Sequence, residues 1–136
     1  MMTNLQRPLP QPTDITQPYW SAAAKGQLVY QHCPDCQHWQ FYPRAFCVRC
    51  GSDAIQWGEA SGEGVIYTFT INRRAANAFM KTRLPYAVAM VQTSEGVKTM
   101  ANIVNADLDS LYIGMPVRVV FEQINDDLAL PQFQPA

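Results

Sequence analysis

The run Cys33-Pro34-Asp35-Cys36, followed after ten residues by Cys47-Val48-Arg49-Cys50-Gly51, decides how this chain is read. Each Cys-x2-Cys pair makes a tight knuckle that turns two sulfurs toward one point, so the four thiols can close on a single ion. Four thiolates suit zinc, which takes them tetrahedrally at ~2.3 Å and is left with no vacant position. Such a site stabilises a small ribbon and offers little Lewis-acid chemistry. Cys33, Cys36, Cys47 and Cys50 are therefore expected to hold one structural Zn2+, the cysteines of a reducing compartment being better explained by a metal than by disulfides. His32 and His38 flank the first pair. With four thiols already present, both read as hairpin residues.

An iron tetrathiolate uses the same donors, and Cys47-Val48-Arg49-Cys50-Gly51 resembles a rubredoxin knuckle. The first pair departs from that pattern, because Gln37 stands where such a knuckle often has glycine. If the turn is kept, Gln37 must adopt a left-handed backbone.

Upstream of the cysteines, Leu28-Val29-Tyr30-Gln31-His32 is rich in branched and aromatic residues and reads as a strand running into the knuckle. Before it, Tyr19-Trp20-Ser21-Ala22-Ala23-Ala24-Lys25 lies between Pro18 and Gly26, the punctuation of one short helix. Pro8, Pro10, Pro12 and Pro18 make the arm ahead of it extended. Downstream the pattern turns to β structure, with runs at 55–60, 65–72, 86–93, 97–104 and 116–124. Thr93-Ser94-Glu95-Gly96 is a hairpin signal, and residues 128–133 read as a short edge strand. Several short strands with one helix point to a mainly β chain built on a sandwich or small barrel.

The 136 residues fit one compact domain with a small metal-stapled module, and 48% hydrophobic content provides for a core. No stretch has the length and apolarity of a membrane helix, nor does the N-terminus carry a secretory signal, so the expectation is a cytoplasmic protein without a membrane partner. A net charge of -1 argues against a partner held mainly through phosphates. The charge is nonetheless uneven. Arg73, Arg74, Lys81 and Arg83 fall together, and no acidic residue lies between Glu63 and Glu95. With Phe79, Met80 and Tyr86 interleaved, this stretch suits a phosphorylated ligand that has a flat or apolar part. The alternative reading is a solvated loop. No nucleophile elbow, phosphate-cradling loop or paired-histidine motif occurs, and Asp107 with Asp109, or Asp126 with Asp127, read as surface charge in turns. No catalytic residue is assigned and independent enzyme activity is not expected.

Beyond the knuckles, Tyr19-Trp20, Tyr42-Pro43-Arg44, Ser61-Gly62-Glu63-Gly64-Val65, Pro85-Tyr86-Ala87-Val88-Ala89, Ile113-Gly114-Met115-Pro116-Val117 and Leu130-Pro131-Gln132-Phe133 occur in a specific order. In that order the chain resembles, over nearly its whole length, the acyl-CoA-associated family of zinc-ribbon and OB-fold proteins labelled DUF35. The resemblance implies an N-terminal extended arm and short helix over residues 1–27, a rubredoxin-like zinc ribbon over 28–53, and a small OB-fold barrel over 54–136. It also implies an accessory subunit that holds or passes on acyl-CoA or CoA beside a thiolase-like, MaoC-like hydratase or aldolase-like partner. The family motif does not place the ligand. Charge and aromatic placement assign the contacts to Arg73, Arg74, Phe79, Lys81 and Tyr86.

The competing reading is a single-stranded nucleic-acid-binding module, because OB-folds stack bases on aromatics and Tyr67, Phe69 and Phe79 are available. Against it, Tyr67, Phe69 and Ile71 alternate with period two and read as one inward face.

Overall fold

The structure is a computed structural model and describes residues 7–136, so the first six residues of the expected arm lie outside the described residues. Helix α1 (Gln17–Ala24) begins behind a pair of threonines: the Thr13 N–H donates to Thr16 Oγ1 at 2.8 Å, and the Thr16 N–H donates to Thr13 Oγ1 at 3.2 Å. Pro18 sits in the first turn, where its missing N–H costs nothing. The helix buries Tyr19 and Ala23, and among the described residues no helix is long and apolar enough to cross a membrane.

Strand β1 (Val29–His32) is the centre of a three-stranded antiparallel sheet with β2 (Trp39–Gln40) on one edge and β3 (Gln56–Glu59) on the other. The short β2 was not expected from sequence. The run containing β3 was assigned to the barrel, but it pairs with β1 along its length, from Val29 opposite Glu59 to His32 opposite Gln56. The reason is edge satisfaction. A hairpin of β1 and β2 has only two residue pairs and would leave the second edge of β1 open. Trp39 reinforces the arrangement, since a Cβ at Gly58 would stand 2.6 Å from its ring.

The barrel strands are β4 (Glu63–Asn72), β5 (Tyr86–Thr93), β6 (Lys98–Ile103), β7 (Pro116–Gln123) and β8 (Ala129–Pro135), with a four-residue helix α2 (Ala78–Lys81) between β4 and β5. Their order, β4-β5-β6-β8-β7 with β7 returning to β4, closes a five-stranded barrel of the OB-fold. All pairings are antiparallel except β6 with β8, which run parallel at Ile103 and Phe133. The interior is filled by Ile66, Ala87, Ala89, Val91, Ile103, Val117 and Phe133, each 4% exposed or less. Tyr19, Leu28 and Tyr30 join the same buried cluster, so helix, ribbon and barrel share one core.

Two sequence readings of the barrel are corrected. The tail does not form an edge strand, because β8 pairs with β7 over seven residue positions and touches β6 beyond. Pro131 is tolerated there because the β6 side of β8 is paired only at Phe133, leaving little ladder for a missing N–H to break. Tyr67, Phe69 and Ile71 also do not share a face. Ile66 lies opposite Val91 and Thr68 opposite Met90, so Tyr67 is an extra residue in β4. A bulge of one residue reverses the inside-outside parity of the strand beyond it. Phe69 and Ile71 pack on the core, whereas Tyr67 stands outside, 48% exposed, with Lys98 Nζ 4.0 Å from its ring centroid.

Candidate functional site

The cysteine site is built by the two knuckles. In the first, the Gln37 N–H donates to the Cys33 carbonyl at 2.8 Å, and in the second the Gly51 N–H donates to the Cys47 carbonyl at 2.8 Å. Both turns need a left-handed residue after the second cysteine: Gly51 has φ +80° and Gln37, as anticipated, has φ +66°. Cys33 Sγ lies 3.6 Å from Cys50 Sγ, Cys36 Sγ lies 3.6 Å from Cys47 Sγ, and all four sulfurs fall within 4.8 Å of one another. A tetrahedron of ~2.3 Å metal–sulfur bonds has sulfur–sulfur edges of ~3.8 Å, so the donor set fits one tetrahedral ion. The thiols also differ in acidity. Burial pushes Cys47 up, but N–H groups of Cys50 and Arg49 aimed at its sulfur outweigh this and hold it at about 7. His32 stacks on Trp39, with ring centroids 4.6 Å apart, and neither His32 nor His38 belongs to the sulfur cluster.

Around the sulfurs the ribbon is organised by carboxamides that sequence reasoning did not single out. Gln31 Nε2 donates to the Arg44 carbonyl and Gln31 Oε1 accepts from the Arg44 N–H, both at 2.7 Å. Gln40 Nε2 donates to Gln31 Oε1 at 2.8 Å and to the Phe46 carbonyl at 3.1 Å, while its Oε1 accepts from the Val48 N–H at 3.0 Å. Both glutamines are buried, and together they template the segment joining the knuckles. The Ser52 hydroxyl donates to the Asp35 carboxylate and ties one knuckle to the other.

A second concave site lies on the outer face of β5 and β6, the second and third barrel strands, which in OB-folds is the ligand face. It is a cleft of about 440 Å³. Tyr19 and Trp20 of α1 and Phe41 and Tyr42 of the ribbon form one wall, Val88 and Met100 the strand surface, and Asn102 and Gln132 its polar groups. The wall is a continuous chain of edge-on and tilted aromatic contacts: Tyr19 meets Trp20 at 5.1 Å and Phe41 at 5.0 Å, and Phe41 meets Tyr42 at 5.4 Å. Burial holds the Tyr19 phenol well above its ordinary pKa, the neighbouring Tyr42 adding to the effect. Met100 is 70% exposed.

Of the residues assigned from sequence, Tyr86 lines this cleft. Phe79 lies on α2 and does not line the cleft, with the Arg7 and Arg83 guanidinium carbons each 4.9 Å from its ring centroid. Arg73, Arg74 and Lys81 are exposed on the β4–β5 connection and do not line the cleft. Missed from sequence was the clasp beside them. Arg7 Nη1 and Nη2 donate to Glu122 Oε2 and Oε1 at 2.6 and 3.3 Å, and Arg83 Nη2 lies 2.7 Å from Glu122 Oε2. Burial alone pushes the Glu122 carboxyl up, but hydrogen bonds and charge from Arg7 and Arg83 prevail and hold it at about 2. No sequence signal joins residues 7, 83 and 122, since only the closed barrel brings them together.

Similarity to known proteins also divides the chain into a ribbon and a barrel, with the boundary falling inside β3. Residues 20–56 match the family model described as the ChsH2 rubredoxin-like zinc ribbon domain, and residues 57–122 match the ChsH2 C-terminal OB-fold domain. A DUF35 domain-containing scaffold protein of Methanocaldococcus jannaschii is 31% identical over 101 residues, 74% of this chain and 71% of that protein. A probable enoyl-CoA hydratase alpha subunit of Thermomonospora curvata is 34% identical over 119 residues, 87% of this chain; the chain spans only 37% of that subunit's length. Among solved structures, one described as an Ltp2-ChsH2(DUF35) aldolase superposes with a TM-score of 0.84 at 30% identity, covering 93% of this chain and 98% of that one.

Proposed function

The chain belongs to the DUF35 family of zinc-ribbon and OB-fold proteins, and from that premise we propose that it is an acyl-CoA-binding accessory subunit working beside a hydratase-like or aldolase-like enzyme. The observation that carries the reading is the apolar, aromatic-walled cleft on the ligand face of the barrel. An acyl group and the pantetheine arm attached to it need apolar area with a few polar partners, which Val88, Met100, Asn102 and Gln132 offer. Methionine adapts its shape to its neighbours, so Met80 and Met100 suit a cleft that meets more than one acyl group.

The choice of partner rests on relatives named as a hydratase alpha subunit and as an aldolase containing a DUF35 chain; the sequence resemblance adds a thiolase-like partner to these. A structural zinc on Cys33, Cys36, Cys47 and Cys50 would hold the ribbon against α1 and so keep the aromatic wall in place, supplying cross-linking and no chemistry at the cleft. The cleft's lining is suited to binding, with phenols, thioethers and carboxamides as its functional groups. The nucleic-acid alternative loses support from the bulge in β4. Phe69 packs on the core and Phe79 lies beside two guanidiniums, so Tyr67 has neither as a stacking companion on the outer face.

Trp20 lies in the cleft wall, so titration of an acyl-CoA can be followed by tryptophan fluorescence and checked by calorimetry. Saturable binding is expected, and Met100→Glu, at an exposed position, should weaken it at least about tenfold without changing the melting curve. The reading fails if neither this chain alone nor its mixture with a candidate hydratase or aldolase subunit binds acyl-CoA.

A further inference from the structure

We propose that Arg83, rather than Arg73, Arg74 or Lys81, is the phosphate-contacting residue of this chain, and that the small chamber it lines is the anion subsite of the apolar cleft. The inference rests on the acyl-CoA reading above. The chamber has a volume of about 270 Å³ and shares Met80, Tyr86 and Asn102 with the cleft, so one extended ligand can occupy both. Arg83 is the charged side chain among the described residues that line it, alongside neutral groups such as Asn105 and Leu108.

The electrostatics favour an anion at this point. Arg7 and Arg83 together carry two positive charges, and both meet the single carboxylate of Glu122, at 2.6 and 2.7 Å. One positive charge is left over. The Arg83 side chain is 38% exposed and that of Arg7 is 14%, so Arg83 presents the surplus. A guanidinium has five N–H donors in a planar fork, and the contact with Glu122 is made through Nη2. The remaining edge can meet a phosphate in the paired geometry that arginine favours.

Preorganisation separates Arg83 from its neighbours. Glu122 and the Phe79 ring fix its guanidinium before any ligand arrives. Arg73, Arg74 and Lys81 are exposed on the connection, where ordering a long side chain and displacing screening ions consume much of what a phosphate contact gains. Arg7 is a positioning residue in this scheme: it bridges both oxygens of Glu122, sharing Oε2 with Arg83, and lies over the same ring.

The ligand class is a phosphorylated pantetheine thioester, whose anionic groups are a diphosphate and a ribose phosphate. Three thioesters of one acyl group separate these: acyl-CoA, acyl-dephospho-CoA and acyl-pantetheine, each titrated against the wild-type chain and Arg83→Gln, with melting curves as the fold control. Arg83→Gln is expected to weaken acyl-CoA about tenfold and leave acyl-pantetheine unchanged, whereas the double change Arg73→Gln with Arg74→Gln should weaken acyl-CoA by less than about threefold. Persistence of the loss with acyl-dephospho-CoA assigns the contact to the diphosphate, and its disappearance assigns it to the ribose phosphate. Equal losses on acyl-CoA and acyl-pantetheine, no loss, or a larger loss in the double variant each overturn the proposal while leaving the acyl-CoA reading intact. A wild-type chain that binds none of the three thioesters, either alone or mixed with a candidate hydratase or aldolase subunit, overturns both.

Discussion

Around the cysteine site the ribbon buries polar and sulfur-bearing groups: Cys33, Cys47, Gln31 and Gln40 lie inside, framed by three strands of two to four residues, while Tyr30 of β1 belongs to the core shared with the barrel. Inside the barrel, Ile66, Val91, Val117 and Phe133 are packed by strands of six to ten residues that close on one another. The ribbon thus depends on a few specific bonds, of which the metal is the strongest, whereas the barrel depends on area removed from water and spread over many side chains. A region of the first kind should fail when one atom is changed. A region of the second kind should lose stability by degrees.

The largest effect expected from this contrast is at Cys47. Cys47→Ser should remove metal retention, because structural zinc contributes roughly 10–16 kcal/mol to the folding of small zinc modules and three thiolates no longer close the shell. Metal content should fall from one ion to near none, and amide exchange should rise over 29–59 while residues 63–135 keep their protection. The barrel counterpart is Phe133→Ala, which should cost about 3–5 kcal/mol in global stability and leave the metal content unchanged. If Phe133→Ala also released the metal, or Cys47→Ser left exchange in the ribbon unchanged, the two regions would not differ as described.

An intermediate effect should separate two causes of acid sensitivity. The ribbon loses metal as its thiolates take up protons, and the clasp between arm and barrel loses stability as Glu122 does. With its folded pKa depressed from 4.5 to about 2, Glu122 contributes stability that is complete above pH 4.5 and is lost as pH falls toward 2. Glu122→Gln should therefore flatten the dependence of melting temperature on pH across that window and leave the pH of metal release where it was. A metal-release midpoint that moved with Glu122→Gln would mean that the arm and the ribbon unfold together.

Sequence was most informative where residue chemistry and local composition settle the matter. The cysteine spacing identified the ribbon, and the β-favouring run at 86–93 placed β5 at the residues where it lies. It was least informative where structure depends on a partner far along the chain. Gln56–Glu59 has strand character, but nothing local says that its partner is β1 rather than the barrel. The bulge at Tyr67 is set by the register against β5, so a run of alternating aromatics looks unbroken until that register is known. The cleft has the same origin. Its wall joins Tyr19 and Trp20 to Phe41 and Tyr42, and the basic stretch that stood out in sequence contributes Arg83 beside it while Arg73 and Arg74 remain outside.

The smallest effect returns to the ribbon and compares its two knuckles, which share a left-handed position but fill it differently. At Gly51 an added Cβ would meet nothing within 4 Å, so Gly51→Ala isolates backbone strain and should cost about 1 kcal/mol. At Gln37 the strain is already present, with φ +66°, so Gln37→Gly relieves it. That relief is opposed by the extra freedom of glycine in the unfolded chain, about 0.5–1 kcal/mol, and by loss of the exposed Gln37 Nε2 bond to the Pro34 carbonyl at 2.9 Å. The net change should stay within about 0.5 kcal/mol of zero. Thermal melts of the metal-bound chain measure both variants, and equal costs at the two positions would show that the knuckles are held by the metal alone and that backbone preference has no part in them.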